Sequence, residues 1–197
     1  MPGRYADSDP YTYQDSSILI NIPDLRAEEE LVRFERIQVT KRSLTDPPPG
    51  NFDYAHFKTL HRHLFQDVYT WAGEERSVPI SKGGHLFATP AFIARNAEKL
   101  FQQLHDENLL RTLDAASFAE RAAHYVTELN VLHPFRDGNG RTLRYFLMLL
   151  AEQAGYDLDP AVLQRGWMTA CVSGFDGEET PMRLLLFEAL RPLALAP

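Results

Sequence analysis

The stretch His133-Pro-Phe-Arg-Asp-Gly-Asn-Gly-Arg-Thr-Leu-Arg144 decides how the rest of this chain is read. It sets a histidine, a carboxylate, a glycine-framed turn and two arginines directly before the apolar run Tyr145 to Leu150, which has the composition of a buried helix. Asp137 is a good helix N-cap, Gly138 and Gly140 lack the Cβ that would hinder a close approach, and the free N–H groups of the following helix turn toward the loop. Anions bind readily at such ends. Arg141 and Arg144 share one face of the first turn, where positive charge opposes the helix macrodipole unless an anion answers it. The order therefore predicts a phosphate site.

Outward from the motif, its helix should run from about Gly138 to Ala154 and, being so apolar beyond Arg144, lie buried all round at the centre of the fold. Before it, Asp114 caps a helix carrying Phe118, Ala122, Tyr125, Val126 and Leu129 to Leu132. Thr89-Pro90 starts another, with Phe92, Ile93, Ala97, Leu100, Phe101 and Leu104 on its apolar side. Further back, Asp53 caps a helix with Phe57, Leu60, Leu64, Phe65 and Val68. Asp24 caps one through about Arg42 whose stripe is Leu25, Leu31, Phe34, Ile37 and Val39. Downstream, Asp159-Pro160 opens a helix to about Cys171, and a last one covers Glu178 to about Leu190. The stretch Val78 to Phe87 reads as a hairpin turning at Lys82-Gly83-Gly84. The predicted class is mainly α, a helical bundle around a central buried helix with one small β-hairpin. Residues 1–24 read as an arm, 25–190 as one domain and 191–197 as a tail.

Composition narrows the function. The chain has 197 residues with 44% hydrophobic and 24% charged content, ordinary for one globular domain. Its net charge of −7 argues against nucleic acid as a direct ligand, so phosphate binding must come from a local cluster. The single cysteine, Cys171, excludes an internal disulfide and a thiolate metal cage, and fits a reducing compartment. Met1 to Asp9 contain no apolar leader core and no run reaches the length of a membrane span, so a cytoplasmic protein is expected, with delivery into another cell left open.

Several motifs have bland explanations. Pro47-Pro48-Pro49 fits a stiff connector better than an SH3 ligand. His56, His61 and His63 lack metal-site spacing and read as surface or packing residues. Ser81-Lys82-Gly83-Gly84 lacks Walker spacing, and nothing around Cys171 suggests a lowered pKa. Within the motif, each residue alone has a structural reading: Asp137 as a cap, Asn139 as a turn former, the arginines as partners of surface acids. Taken together, an imidazole beside anchored phosphates can take a proton from an incoming hydroxyl, while Asp137 can hold a divalent cation against phosphate oxygens.

The string resembles, at every defined position, the Fic domain signature His-x-Phe-x-Asp/Glu-Gly-Asn-Gly-Arg-x-x-Arg. The resemblance extends to Leu60-His-Arg-His-Leu-Phe-Gln-Asp-Val-Tyr-Thr-Trp-Ala-Gly73 with Arg76 and Val78 after it. It implies transfer of AMP from ATP, with Mg2+, to a Tyr, Ser or Thr hydroxyl of a target protein. His133 would be the general base and Asp137 the magnesium ligand. Gly138, Asn139 and Gly140 would form the anion nest, Arg141 and Arg144 would hold the outer phosphates, and Phe135 would be a buried anchor. The hairpin residues Val78, Ile80, Ser81, Lys82, Gly83, Gly84, His85, Leu86 and Phe87 would be a flap that aligns the target by main-chain pairing. The adenine pocket is expected near Gly166, Trp167 or Thr169. Other Fic transfers, of UMP, phosphocholine or a phosphoryl group, and a non-catalytic binding module are the alternatives; intact Gly138, Gly140 and Arg144 separate the chain from the kinase-like branch.

The resemblance also bears on regulation. Self-restrained Fic proteins carry a Ser/Thr-x-x-x-Glu-Gly/Asn helix whose glutamate pairs with the second motif arginine, here Arg144. Only Thr70 has a glutamate four residues on, Glu74, and Glu75 follows it inside the Trp-Ala-Gly stretch. The chain therefore resembles the toxin-like class that a separate small helical antitoxin restrains by donating the glutamate.

Overall fold

The structure, a computed structural model, describes residues 9–193. Seven helices make up most of these residues: α1 (Glu28–Ser43), α2 (Tyr54–Phe65), α3 (Pro90–Asp106), α4 (Ala115–Leu132), α5 (Asn139–Gln153), α6 (Pro160–Phe175) and α7 (Thr180–Ala189). Two antiparallel ribbons accompany them. β1 (Ser81–Lys82) pairs with β2 (His85–Leu86), and β3 (Tyr156–Leu158) with β4 (Leu190–Pro192).

Three of the aspartates read as caps fill that role. Asp53 accepts from the His56 N–H at 2.7 Å, Asp114 from Ser117 at 2.8 Å, and Asp159 from Ala161 at 2.9 Å. Asp24 does not. Its φ is 55°, and α1 begins after Ala27 with no side-chain cap. The cause lies upstream: the Asn21 side chain bonds Leu19 O, Leu25 O and Leu25 N, closing a local turn that delays the helix. The apolar stripe of α1 shifts as well. Leu31, Glu35 and Val39 face inward while Ile37 is exposed, so a carboxylate occupies a position that hydrophobicity alone would not choose. On α3, Phe92 is likewise exposed.

One large core joins α2 to α7, and α1 docks through a smaller cluster of Leu31, Val39, Leu64, Phe65, Val68, Tyr69 and Ala72. Helix α5 buries Leu143, Phe146, Leu147, Leu150 and Ala151, but Met148 is exposed, so it is central without being enclosed on every side. The predicted single hairpin is joined by the β3–β4 ribbon. That second ribbon draws Arg191 and Pro192 into pairing with Asp157 and Tyr156, residues the sequence placed in a tail. Strands three residues long, split by two helices, carry no periodic signal. Among the described residues no helix is long and apolar enough to cross a membrane.

Arg76 ties two regions together. It is 2% exposed, and its guanidinium donates to four carbonyls: Leu132 and His133 at the end of α4, Val78 and Ala88 at the base of the hairpin. Its own N–H donates to Pro134 O at 2.9 Å. A planar fork of five N–H donors can serve four divergent acceptors, whereas an ammonium cannot. Arg76→Ala should therefore cost at least about 3 kcal/mol of unfolding free energy, since it strands buried carbonyls, and Arg76→Lys should recover less than half of that loss. Urea denaturation of the three proteins measures both; full recovery by lysine would contradict the four-carbonyl role.

Candidate active site

Helix α4 stops at His133, whose left-handed backbone (φ 45°, ψ 61°) turns the chain into the motif loop. A non-glycine residue is strained there, and the bonds from Arg76 to the Leu132 and His133 carbonyls hold it. The ring is fixed from two sides. Phe87 stacks on it with centroids 3.8 Å apart, and Nδ1 lies 2.9 Å from Asn130 O. A carbonyl only accepts, so Nδ1 carries the proton and Nε2 keeps its lone pair, with no hydrogen-bond partner among the described residues. Burial, the largest cause, pushes the imidazole down to about 4; the Asn130 bond opposes it, and the Arg76 and Lys82 charges add smaller downward pushes. It is neutral at neutral pH.

The loop itself is pinned from inside. Phe135 is fully buried, stacked on His61 at 3.8 Å and on Phe57 at 5.6 Å. The Asn139 side chain spans the loop, accepting from Phe135 N at 2.9 Å and donating to Phe135 O at 2.8 Å. Its side-chain amide is thus spent on structure. Buried His61 reaches across: Gly73 N donates to its Nδ1 at 2.8 Å, so Nε2 must donate to Asp137 O at 3.0 Å. The sequence placed His61 among surface or packing residues and missed this tie, because its partners are a loop carbonyl 76 residues on and a turn N–H.

Gly138, not Asp137, occupies the N-cap position of α5. The turn needs φ +82°, and a Cβ there would come within 2.5 Å of Phe65 and 3.0 Å of His61. Glycine is thus required by packing and backbone rather than by approach of a ligand. Released from capping, the Asp137 carboxylate is 51% exposed; Oδ1 accepts from Gly138 N, and Oδ2 makes no hydrogen bond. The N–H groups of Asn139 and Gly140 make no internal hydrogen bond among the described residues.

These groups line one cavity of about 580 Å³ together with Lys82, Gly83, His85, Phe87, Arg141 and Arg144 from the sequence-predicted set. Val78, Ile80, Ser81, Gly84 and Leu86 lie off it, and Leu86 points to solvent. The hairpin is smaller than its sequence suggested, two residues per strand turning at Gly83-Gly84 with φ of 59° and 87°. Its tip side is moored to α6 by His85 and Phe87 against Phe175. The far wall is α6: Trp167, Met168, Cys171, Val172 and Phe175. Of the three residues expected near adenine only Trp167 lines the cavity; Gly166 faces Leu185 and Thr169 is outside the lining. Burial pushes the Cys171 thiol up to about 11, which removes it as a nucleophile.

The two arginines differ. Arg144 lies over the Trp167 ring at 5.3 Å, with no carboxylate in ion-pair range among the described residues. Arg141 lies over Phe65 at 4.6 Å and is paired through Nη1 with Glu35 of α1 at 2.5 Å. That glutamate follows no Ser/Thr-x-x-x-Glu pattern and engages the first arginine rather than the second.

Helix-start N–H groups without a partner among the described residues, a neutral imidazole and a carboxylate around one cavity have the chemistry of a domain that can take phosphate and activate a hydroxyl. Comparison with known proteins gives the family. The Fic/DOC family matches residues 51–151. "Probable protein adenylyltransferase y4lH" of Sinorhizobium fredii is 39% identical over 91% of this chain and 95% of its own. "Protein adenylyltransferase VbhT" of Bartonella schoenbuchensis is 40% identical over 91% of this chain, which spans 38% of that longer protein. The crystal structure of BepC from Bartonella tribocorum with bound AMPPNP superposes with a TM-score of 0.88 at 28% identity, covering 93% of this chain and 97% of that one. The chain belongs to the Fic/DOC family.

The histidines make a pH prediction. His61 and His133 both sit near 4 when folded, against 6.5 when free. Between those values the unfolded chain binds more protons, so stability is greatest above pH 6.5 and is lost as pH falls toward 4, by up to roughly 3 kcal/mol per ring. His61→Phe should be less stable than wild type at pH 7 but lose less on acidification to pH 4.5, as read from urea midpoints. Parallel losses in the two proteins would contradict the His61 assignment.

Proposed function

We propose that this chain is a protein adenylyltransferase, moving AMP from ATP to a hydroxyl of a target protein. One observation supports it above the others: an imidazole Nε2 and two helix-start N–H groups, none with a hydrogen-bond partner among the described residues, share a single cavity with a half-exposed carboxylate and Arg144. The relatives named adenylyltransferases and the AMPPNP-bound neighbour are consistent with it.

In this reading the Asn139 and Gly140 N–H groups bind phosphate oxygens, and Arg141 and Arg144 hold the outer phosphates. The acceptor hydroxyl attacks the α-phosphorus as the bond to the β-phosphate oxygen breaks and pyrophosphate leaves. His133 Nε2 takes the hydroxyl proton. Such transfers pass through loose transition states, so most of the rate comes from positioning and charge, and the neutral imidazole brings a lone pair to the hydroxyl proton. Asp137 fits a magnesium ligand, because Oδ2 is a hard donor that accepts no hydrogen bond among the described residues, meets only Arg141 Nη2 at 3.8 Å, and belongs to the same loop as the N–H groups read as phosphate-binding. The ion would neutralise charge on the phosphate oxygens. The hairpin would present the target, with β1 or β2 offering an edge.

Regulation by a separate helical antitoxin belongs to the same proposal. It is supported by Arg144, which no carboxylate pairs among the described residues. The purified chain should then label targets unaided; activity that appears only after part of the chain is removed would overturn this arm.

Incubation with α-labelled ATP, magnesium and a cell lysate should label protein bands, and a chain that labels none would defeat the reading. His133→Ala should bind ATP as wild type does yet label nothing. Arg144→Ala should weaken ATP binding about tenfold while sparing AMP, the size of one lost charge-assisted contact. Equal effects on both nucleotides, by calorimetry, would remove Arg144 from the outer phosphates.

A further inference from the structure

Glu35 is an anomaly in α1, a carboxylate 8% exposed on the inward face of a helix that otherwise packs with apolar residues. Both of its oxygens are occupied. Oε1 accepts from Arg141 Nη1 at 2.5 Å, and Oε2 accepts from the Tyr69 hydroxyl at 2.5 Å. Tyr69 is itself buried, and burial together with the neighbouring Glu35 charge raises its hydroxyl pKa, so it stays a donor. Arg141 is further confined by the Phe65 ring beneath it and by Asp137 Oδ2 at 3.8 Å. A long cationic side chain in the first turn of a helix, opposed by the macrodipole, is thereby held in one pose.

We infer that Glu35, oriented by Tyr69, is the positioning residue for Arg141: the pair supports the guanidinium from behind so that its remaining donors face the phosphates. The alternative, that Glu35 competes with phosphate for Arg141, is disfavoured by placement. Arg141 lines the cavity, and neither Glu35 nor Tyr69 does. A competing acid would have to occupy the space that the phosphates take. Only Nη1 is bonded to Glu35, and Nη2 meets Asp137 Oδ2 at 3.8 Å, too long for a hydrogen bond, so the N–H donors of Nε and Nη2 remain for a ligand. Helix α1, outside the matched stretch 51–151, thus completes the site.

This inference rests on Arg141 binding ATP phosphates, and the test separates the two. Glu35→Gln keeps the shape: its amide oxygen can accept from Arg141 while its NH2 donates to the Tyr69 oxygen, so the packing stays while the charge and the bond donated by the Tyr69 hydroxyl are lost. With an unchanged melting temperature, Glu35→Gln should raise KM for ATP about tenfold while leaving adenosine affinity unaltered. Glu35→Asp should recover part of the loss. In an Arg141→Ala background, Glu35→Gln should add nothing further. Tyr69→Phe should shift KM for ATP in the same direction by less, and it serves in place of Glu35→Gln if that variant does not fold. Unchanged ATP parameters, tighter ATP binding or higher activity in Glu35→Gln, or an effect that persists without Arg141, would overturn the positioning role. If Arg141→Ala itself leaves ATP binding intact, the phosphate reading of Arg141 fails first, and the inference falls with it.

Discussion

A buried guanidinium with no carboxylate paired to it among the described residues holds the functional half of this molecule in shape. Arg76 replaces its lost hydration with four carbonyls drawn from two segments distant in sequence from one another. Burial lowers its pKa from the usual arginine value. The strained backbone at His133 persists because two of those carbonyls belong to the turn that contains it. Hairpin base and helix end are joined through one side chain.

Around that joint the motif loop is organised by polar groups that point inward. Asn139 closes the loop on Phe135, His61 suspends the Asp137 carbonyl, and Gly138 supplies the turn that Phe65 and His61 leave room for. What faces the cavity is therefore mostly what these residues do not use: backbone N–H groups, a carboxylate oxygen and an imidazole nitrogen. Residues that look like ligand contacts in the sequence divide into those that build the loop and those that can meet a ligand.

The sequence showed the helices well, because their caps and stripes are local. Asp53, Asp114 and Asp159 cap as expected, and the apolar positions of α2, α3 and α4 are buried almost without exception. The motif placed the cavity-lining set from His133 to Arg144 in one short span. It could not show what depends on long-range contact. Glu35 on α1, His61 on α2 and, Trp167 apart, the α6 wall meet the motif only through packing, and none carries a local pattern that would mark it. Asp24 misled because Asn21 captures the same turn, and the β3–β4 ribbon is too short to have a period.

Phe87 stacks face to face on the His133 ring, and the strand that leads into it is one residue away on the hairpin. Through that contact the position of the imidazole is tied to that of the hairpin. In the proposed reading, a target segment laid along the hairpin's edge would stand at a height above Nε2 set by that ring contact, and acceptor side chains would then be sorted by how far their terminal oxygen extends from the backbone.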